Sequence, residues 1–288
     1  MISIIITTNR EPKTVGKAIK NIIFGLKDFE LLVCAPDNQT LNAAKKSYGK
    51  TILIRDLGKG KPAALNLAFA RARGKILILT DGDVYSEKGA AKKLLDYMNR
   101  TRYSAVSGRV VSLNERNGIF GYWAHLLTNG FHNLRLRQTK KNQDIICSGY
   151  LYALRAGIVK VIPEKVLADD AYISLSTIKE GFKTGYCPEA RVFVKYPDNL
   201  PDWIRQKKRT AGRVYQLEKE FGVKKSSSLN DEIISGFAEL FEIDSFKELA
   251  WFILLMIMRG YIWARVFLDF RLWRRDFGKV WERVESTK

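Results

Sequence analysis

The stretch Lys75-Ile-Leu-Ile-Leu-Thr-Asp-Gly-Asp-Val84 decides the fold. Residues Ile76 to Thr80 are apolar or β-branched without alternation, which predicts a strand buried on both faces, as in a parallel sheet. The strand ends in Asp81-Gly82-Asp83, and open α/β sheets bind ligands at the carboxyl ends of their strands. Two carboxylates flanking a glycine that bends the chain can share one Mg²⁺ or Mn²⁺ ion, whose remaining ligands are water and substrate phosphates. An equally open interpretation is a solvated loop whose acids cap a helix beginning near Ser86.

The residues before this stretch alternate between buried strands and helices. Strands are predicted at Ser3 to Thr8, Glu30 to Ala35 and Thr51 to Ile54, so the N-terminus is expected to enter the core rather than to serve as a targeting segment. A first helix is expected after Pro12, with Val15, Ala18, Ile19, Ile22 and Ile23 on one face. A second helix is expected from Ala63 to Arg73. Short links between such elements predict a parallel sheet covered on both faces.

The second half of the chain is less regular. We expect strands at Ser104 to Val111 and Tyr150 to Leu154, and an aromatic-rich helix from Gly118 to Arg137. Residues 184–186 and 191–194 are expected to form a small β-pair joined by Cys187-Pro-Glu-Ala190. Asp169 or Asp170 could cap the helix that carries Ile173, although capping would explain one acid and not both.

Composition and charge narrow the function classes. The chain has 49 Lys and Arg against 30 Asp and Glu, a net charge of +19, which suits nucleic acid, anionic lipid or a phosphorylated substrate. Neither G-x-G-x-x-G after the first strand nor a P-loop occurs, which disfavours dinucleotide oxidoreductases and P-loop ATPases. Three distant cysteines predict buried free thiols in a reducing compartment, and two histidines seven residues apart make a zinc site improbable.

The C-terminal third is basic and then apolar. On a helix, Arg205, Lys208, Arg209 and Arg213 share a flank that could clamp a pyrophosphate, although a solvated basic helix is the more ordinary interpretation. Leu249 to Met258 is apolar but too short for a membrane span of about 20 residues. We therefore expect a helix lying in the membrane interface on the cytoplasmic side, or a shallow re-entrant pair, rather than a full span. A helix packed on the catalytic domain or on a second subunit is the alternative.

The ordered motifs of the chain resemble those of the family-2 inverting glycosyltransferases, which have the GT-A fold. The matching segments, in order, are Thr7-Thr-Asn-Arg-Glu11, Asp37, Gly60-Lys61 with Ala64-Leu-Asn66, Asp81-Gly-Asp83, Cys147-Ser-Gly149, Asp169-Asp170, Pro188-Glu-Ala190 and Gln206-x-x-Arg209. The last segment is similar to the Q-x-x-R-W signature of processive polysaccharide synthases, with Thr210 where that signature has tryptophan.

The resemblance implies a role for each matching residue. Asp170 would be the general base, preceded by Asp169 in the catalytic pair, while Asp81 and Asp83 would hold Mg²⁺ or Mn²⁺. The residues implied for nucleotide and donor binding are Thr8, Asp37, Lys61, Asp81, Gln206 and Arg209. The acceptor region would include Ser148, Gly149 and Trp203.

The predicted fold is therefore α/β of GT-A type, with a mainly parallel nucleotide-binding sheet flanked by helices and a helical C-terminal appendage. The expected divisions are a catalytic domain at 1–198, a basic helix and linker at 199–228, and a membrane-associated region at 229–288. The linker would include Lys224-Lys-Ser-Ser-Ser228.

The predicted activity is metal-dependent transfer of a sugar from a UDP- or GDP-linked donor to a lipid-linked or glycan acceptor. It would serve polysaccharide or glycolipid synthesis at the cytoplasmic face of the cell membrane. One alternative is another nucleotide-sugar enzyme, such as a nucleotidyltransferase, but that class needs a glycine-rich loop after the first strand. The other is a basic nucleic-acid-binding module, which the ordered acids disfavour because they would repel phosphates.

Overall fold

The computed structural model describes residues 1–222, 243–273, 286 and 287. Its strands are β1 (Ile2–Thr7), β2 (Phe29–Ala35), β3 (Ile52–Arg55), β4 (Ile76–Asp81), β5 (Tyr85–Ser86), β6 (Tyr103–Ser112), β7 (Leu151–Arg155) and β8 (Lys183–Val194). Its helices are α1 (Val15–Ile22), α2 (Asn38–Ser47), α3 (Lys61–Phe69), α4 (Ala90–Arg100), α5 (Ile119–Lys140), α6 (Asp169–Lys179), α7 (Leu200–Phe221) and α8 (Phe246–Phe267), followed by a π-helical turn at Leu268–Leu272. The predicted linker at 224–228 lies outside the described residues.

The described chain divides into two compact units. The first contains Met1–Val110 and Arg135–Val194, and the second contains Val111–Leu134 and Lys195–Lys288. The domain boundaries expected from the sequence stay a prediction.

One sheet organises the first unit, with the strand order β3-β2-β1-β4-β7-β6-β8-β5. Strands β3, β2, β1 and β4 run parallel, with Thr7 paired to both Cys34 and Asp81, so their carboxyl ends share one edge. Strand β4 then pairs antiparallel with β7. The predicted parallel sheet is confirmed for these first four strands, and β7 extends it in the opposite direction.

Burial follows the apolar pattern of the sequence. In β4, Leu77 to Thr80 are buried, as expected for a strand covered on both faces. In α1 the predicted apolar face is buried at Val15, Ala18, Ile19 and Ile22. Cys34, Cys147 and Cys187 are buried free thiols, as predicted. Burial raises the pKa of Cys34 and of Cys147 to about 12, so both stay protonated.

The predicted first helix is confirmed, since α1 begins at Val15, after Pro12. Three local predictions are wrong. The helix after Asp83 begins at Ala90, not near Ser86, because Tyr85 and Ser86 pair with Phe193 and Val192 of β8.

The other two concern the second half of the chain. The expected β-pair is a single 12-residue strand, β8, since Cys187-Pro-Glu-Ala190 lacks the glycine or Asn-Gly that a tight reversal needs. Neither Asp169 nor Asp170 is the N-cap of α6, which is Ala168.

An aromatic cluster forms the core of the second unit. Trp123 of α5 packs on Trp203 of α7 with ring centroids 5.0 Å apart, and its indole N–H donates to the carbonyl of Trp251 in α8 at 2.8 Å. Phe252, Leu255, Ile262 and Val266 bury one face of α8 in the same cluster. Packing of that face leaves the opposite face of α8 for solvent or another partner.

Candidate active site

The ends of β1, β2 and β4 supply the first part of the site. Thr7 Oγ1 donates to Asp81 Oδ1 at 3.2 Å, which joins the ends of β1 and β4. Asp37, after β2, is the N-cap of α2, where its Oδ1 accepts from the Thr40 N–H at 2.8 Å. Its other oxygen, Oδ2, is buried and has no hydrogen-bond partner among the described residues. Capping thus explains one oxygen of Asp37 and leaves the second for a ligand.

Close approach, not bending, explains the glycine between Asp81 and Asp83. The Gly82 N–H donates to the Thr7 carbonyl at 3.0 Å, and a Cβ on Gly82 would overlap the side chain of Thr8. The φ of Gly82 is one that any residue adopts, so the expected bend is not the reason for the glycine. Thr8 is itself fixed, because its hydroxyl donates to Glu11 Oε2 at 2.6 Å.

Lys61 is the central cation of the site. It begins α3, directly after Gly60, whose φ of 103° requires glycine. Its ammonium lies 2.6 Å from Asp81 Oδ1 and 3.6 Å from Asp169 Oδ2. It also donates to the Gly149 carbonyl at 3.2 Å. A single side chain therefore contacts the ends of β4, the start of β7 and the start of α6.

Asp170 is held in a fixed orientation. Its Oδ2 accepts from the Gly149 N–H and its Oδ1 from the Ala171 N–H, each at 2.8 Å. It lies in the first turn of α6, where the helix dipole favours a negative charge. Gly149 is consequently held on both sides, by Asp170 at its N–H and by Lys61 at its carbonyl. The predicted acceptor residue Ser148 lies beside it, buried, and its N–H donates to Ser107 Oγ at 3.0 Å.

Burial and like charges perturb the carboxyls. Burial raises the pKa of Asp169 to about 6; Lys61 opposes that rise, whereas Asp170 and Asp81 add to it. Burial likewise raises the pKa of Asp81 against the attraction of Lys61. For Lys61, burial favours the neutral form, but Asp169 and Asp81 outweigh it and the pKa is raised. Lys61 is therefore the charge that keeps both carboxyls closer to their ionised state.

The acids at the end of β4 suit a hard divalent cation. Asp83 is close enough to add to the effect of burial on the pKa of Asp81 and of Tyr85, raising both. In the described ranges, no three His, Cys, Asp or Glu side chains converge to hold an ion alone. Carboxylate oxygens from Asp81 and Asp83 are the donors that Mg²⁺ and Mn²⁺ prefer, and both ions commonly complete their shell with substrate phosphates and water. The residues present therefore fit such an ion.

The remaining predicted residues belong to the second unit. Gln206 is 7% exposed, and its Oε1 is buried without a hydrogen-bond partner in the part of the chain that is described. Arg209, one helical turn later in α7, is partly buried. Trp203 is 3% exposed and lies against Trp123. Their contacts with donor and acceptor stay predictions.

Sequence reasoning missed the ion pairs of Lys61. It also missed that the backbone of Gly149 hydrogen-bonds to both Lys61 and Asp170. Lys61 was implied as a donor contact, but no spacing in the sequence connects it with Asp81 or Asp169. Glu11, which fixes Thr8, was also missed, although its place in the motif Thr7-Thr-Asn-Arg-Glu11 was a signal.

Comparisons with known proteins identify a family and several relatives of this chain. Residues 1–212 match the family model described as Glycosyltransferase like family 2. An N-acetylglucosaminyltransferase of Azorhizobium caulinodans is 27% identical over 179 residues, which are 56% of this chain and 44% of that protein. The probable glycosyltransferase YdaM of Bacillus subtilis is 24% identical over 227 residues, 73% of this chain and 54% of YdaM. The chain thus spans about half the length of these curated relatives.

Solved structures share the fold. The mannosyltransferase PcManGT of Pyrobaculum calidifontis, determined with GDP-Man and Mn²⁺, has a TM-score of 0.67 at 17% identity, covering 95% of this chain and 87% of its own. Glucosyl-3-phosphoglycerate synthase of Mycobacterium tuberculosis, determined with phosphoglyceric acid, has a TM-score of 0.52 at 17% identity, covering 78% and 81%. The predicted α/β fold of GT-A type, with helices around the sheet and a C-terminal helix, is confirmed.

Proposed function

Because the chain belongs to glycosyltransferase family 2, and is therefore a glycosyltransferase, we propose that it is an inverting, metal-dependent enzyme. It would transfer a sugar from a nucleoside-diphosphate sugar to a hydroxyl or phosphate of a lipid-linked or glycan acceptor. The observation that carries the proposal is the convergence of Asp81, Lys61, Asp169 and Asp170 at the carboxyl edge of the parallel strands. Family membership disfavours the nucleotidyltransferase and nucleic-acid-binding hypotheses.

The nucleotide would bind at the ends of β1 and β2. The buried Oδ2 of Asp37 is an acceptor for an N–H group of the base, and Thr8 lines the same edge. The GDP-Man bound to PcManGT supports a GDP- or UDP-linked donor for this chain. The pyrophosphate role of Gln206 and Arg209 is carried over from the resemblance as a prediction, since guanidinium groups bind phosphate oxygens in a bidentate manner.

The leaving diphosphate needs its charge neutralised. Asp81 and Asp83 would hold Mg²⁺ or Mn²⁺, which when bound stabilises the negative charge of the departing nucleoside diphosphate. The Mn²⁺ present with PcManGT supports this assignment. Lys61 would add positive charge at the same place, and fixed charges in a buried site stabilise developing charge strongly.

Asp170 would remove the proton of the acceptor hydroxyl. Two backbone N–H groups orient its carboxylate, and an ionised carboxylate is a hydrogen-bond acceptor that can take up a proton. A base in this position typically contributes about 10²–10⁴-fold to the rate. Attack opposite to the departing diphosphate would invert the anomeric carbon in one displacement. Ser148 and Gly149 would contribute to the acceptor region, and the acceptor role of Trp203 stays a prediction from the resemblance.

A donor panel tests the proposal. Release of nucleoside diphosphate would be measured for several nucleotide sugars, with and without Mn²⁺ or Mg²⁺, in wild type, Asp83→Ala, Asp170→Asn and Asp169→Asn. Asp28→Asn is the matched control, because Asp28 is a 78% exposed acid that precedes β2 at the opposite edge of the sheet. We expect metal-dependent release with one donor, lost in Asp83→Ala and Asp170→Asn. Full activity of Asp170→Asn would refute its role as base, and loss in Asp169→Asn alone would transfer that role to Asp169.

We also propose that α8 binds the cytoplasmic surface of a membrane. It is the one candidate span among the described residues, judged by length and hydropathy at Phe246–Leu272. Every exposed residue from Leu249 to Phe267 is uncharged. Ile253 is 52% exposed, Ile257 60% and Tyr261 52%, whereas the other face packs in the aromatic cluster. An apolar stripe of this length favours a helix lying in the interface.

Liposome flotation tests the membrane proposal. The double variant Ile253→Glu/Ile257→Glu places two charges on the stripe and should reduce flotation with anionic vesicles at least about ten-fold, since charges are excluded from the bilayer. Val161→Glu is the matched control, because Val161 is a 65% exposed apolar residue elsewhere in the chain. Equal flotation of all three proteins would contradict the proposal.

A further inference from the structure

Lys61 connects the donor side of the site to its acceptor side. Contacts run without interruption from Asp81 to the Lys61 ammonium, from there to the Gly149 carbonyl, and from the Gly149 N–H to Asp170. Asp81 ends β4, Gly149 precedes β7, and Asp170 lies in the first turn of α6. One flexible side chain thus bridges the acids that the proposed function assigns to metal binding and to proton removal.

The bridge occupies one oxygen of the Asp81 carboxylate, which the proposed function assigns to the metal. Lys61 lies 2.6 Å from Asp81 Oδ1, and the same oxygen accepts from Thr7 at 3.2 Å. A divalent ion held by Asp81 would bind the same carboxylate as the Lys61 ammonium, so the two cations would stand within a few ångströms of each other. Two cations at that separation repel strongly in a partly buried site. Metal binding to Asp81 and the Lys61–Asp81 pair therefore oppose one another.

The remaining contacts of Lys61 give the ammonium a second place to bind. Asp169 Oδ2 lies 3.6 Å away, is buried, and has no hydrogen-bond partner in the described part of the chain. The Gly149 carbonyl lies 3.2 Å away. The flexible stem of lysine lets the ammonium shift towards Asp169 while the backbone, fixed by Gly60 and Pro62 at the start of α3, stays in place.

We propose that Lys61 is a positioning residue that acts as the resident counter-ion of Asp81 and keeps free divalent metal out of the site until the donor arrives. The diphosphate of the donor supplies the extra negative charge that makes metal binding outweigh the ion pair. The Lys61 ammonium then moves from Asp81 towards Asp169. It keeps its hydrogen bond to the Gly149 carbonyl, and the Gly149 N–H keeps its hydrogen bond to Asp170. This inference rests on the metal site of the proposed function and adds an order of events: donor and metal bind together, before the acceptor is deprotonated.

Mn²⁺ binding tests the inference without requiring activity. Free Mn²⁺ would be quantified by electron paramagnetic resonance during titration of nucleotide-free wild type, Lys61→Met, Lys61→Arg and Lys59→Met. We expect Lys61→Met to bind Mn²⁺ about ten-fold more tightly than wild type, because a competing unit charge has been removed. Lys61→Arg keeps the charge and should resemble wild type. Lys59→Met is the matched control, since Lys59 is an exposed lysine of the same loop and should also resemble wild type.

A second variant and a second measurement distinguish the loss of the Lys61 charge from misfolding. Lys61→Gln removes the charge but retains a hydrogen-bond donor for the Gly149 carbonyl, and it should bind Mn²⁺ as tightly as Lys61→Met. Mn²⁺ should raise the melting temperature of either neutral variant more than that of wild type, because the ion replaces the missing cation.

The outcomes separate this inference from the proposed function. The same titrations would be repeated with GDP and with UDP. One outcome is Mn²⁺ binding that depends on nucleotide and is equal in wild type and the neutral variants, while the nucleotide-free neutral variants bind Mn²⁺ no more tightly than wild type. That outcome would overturn the role of Lys61 and leave the metal site intact. Absence of Mn²⁺ binding in every protein, with either nucleotide, would refute the metal site and this inference with it.

Discussion

Gly149→Ala is the most direct perturbation of the proposed base. A Cβ at this position would lie 3.3 Å from Asp170 Oδ2 and 3.4 Å from its Cβ and Cγ. The 3.3 Å contact is tighter than nine in ten real Cβ contacts, so the side chain of Asp170 must retreat by a few tenths of an ångström. The φ of Gly149 is one that alanine adopts without strain, so the substitution acts through this contact alone.

The size of the effect follows from that displacement. A misplacement of about 1 Å can cost about 100-fold in rate, so a few tenths of an ångström should lower kcat about 3- to 10-fold. The 2.8 Å hydrogen bond from the Gly149 N–H to Asp170 would lengthen as well. Stability should fall by less than about 1 kcal/mol, because the added methyl group makes a close contact rather than an overlap.

Steady-state kinetics of nucleoside-diphosphate release would measure kcat and the donor KM, and urea denaturation would measure stability. The donor KM should stay within about two-fold of wild type, because the atoms nearest to the added methyl group all belong to Asp170, whereas Lys61 contacts the Gly149 carbonyl. Gly49→Ala is the matched control, since a Cβ there meets nothing within 4 Å and its φ is also ordinary. Its kcat should equal that of wild type.

An unchanged kcat in Gly149→Ala would refute the reasoning, because it would mean that the position of the Asp170 carboxylate does not limit the reaction. A fall in stability above about 3 kcal/mol, accompanied by a proportional loss of folded enzyme, would also contradict it. The lost activity would then reflect unfolding rather than a displaced base.

Three further predictions concern stability. Gly82→Ala should destabilise the protein by about 1–3 kcal/mol in urea denaturation, because its Cβ would overlap Thr8, and Thr8→Gly in the same chain should restore part of the loss. Burial acts to raise the pKa of Glu30, but hydrogen bonds from Ser3 and Arg73 and the charge of the Arg73 guanidinium outweigh burial, so the pKa is lowered. Wild type should therefore lose stability relative to Glu30→Gln as the pH falls below 4.5 and through the pKa of Glu30 in the folded protein. Burial, and then two neighbouring guanidinium groups, lowers the pKa of Lys207 to about 7, so the stability of wild type relative to Lys207→Met should rise from pH 7 towards 10.5, measured by thermal unfolding.

Element boundaries show where sequence reasoning reached its limit. Apolar runs located the core strands within one or two residues, because burial on both faces needs uninterrupted apolar side chains. Strand β5 was missed, since Tyr85 and Ser86 become a strand only through pairing with the distant β8. The continuity of β8 was missed for a related reason: its Cys-Pro-Glu-Ala segment has no local periodicity, and its partners in the sheet hold it extended.

For the predicted acids, the sequence indicated their positions, and the structure was needed for their contacts. The place of Asp37, Asp81 and Asp83 after strands followed from the sequence, because parallel strands bring their carboxyl ends to one edge. The two roles of Asp37 did not follow from the sequence. Only the structure shows that one of its oxygens caps α2 while the other is buried without a partner among the described residues.

The sequence by itself determined the α/β alternation, the buried strands and the acids at the end of β4, since these depend on neighbouring residues and on the periods of strand and helix. The tertiary structure alone decided which charges meet. Parallel pairing of β1 with β4, and antiparallel pairing of β4 with β7, bring Lys61, Asp81, Gly149 and Asp170 together from four separate segments. Their interaction energies depend on distance and burial, which no spacing along the chain specifies.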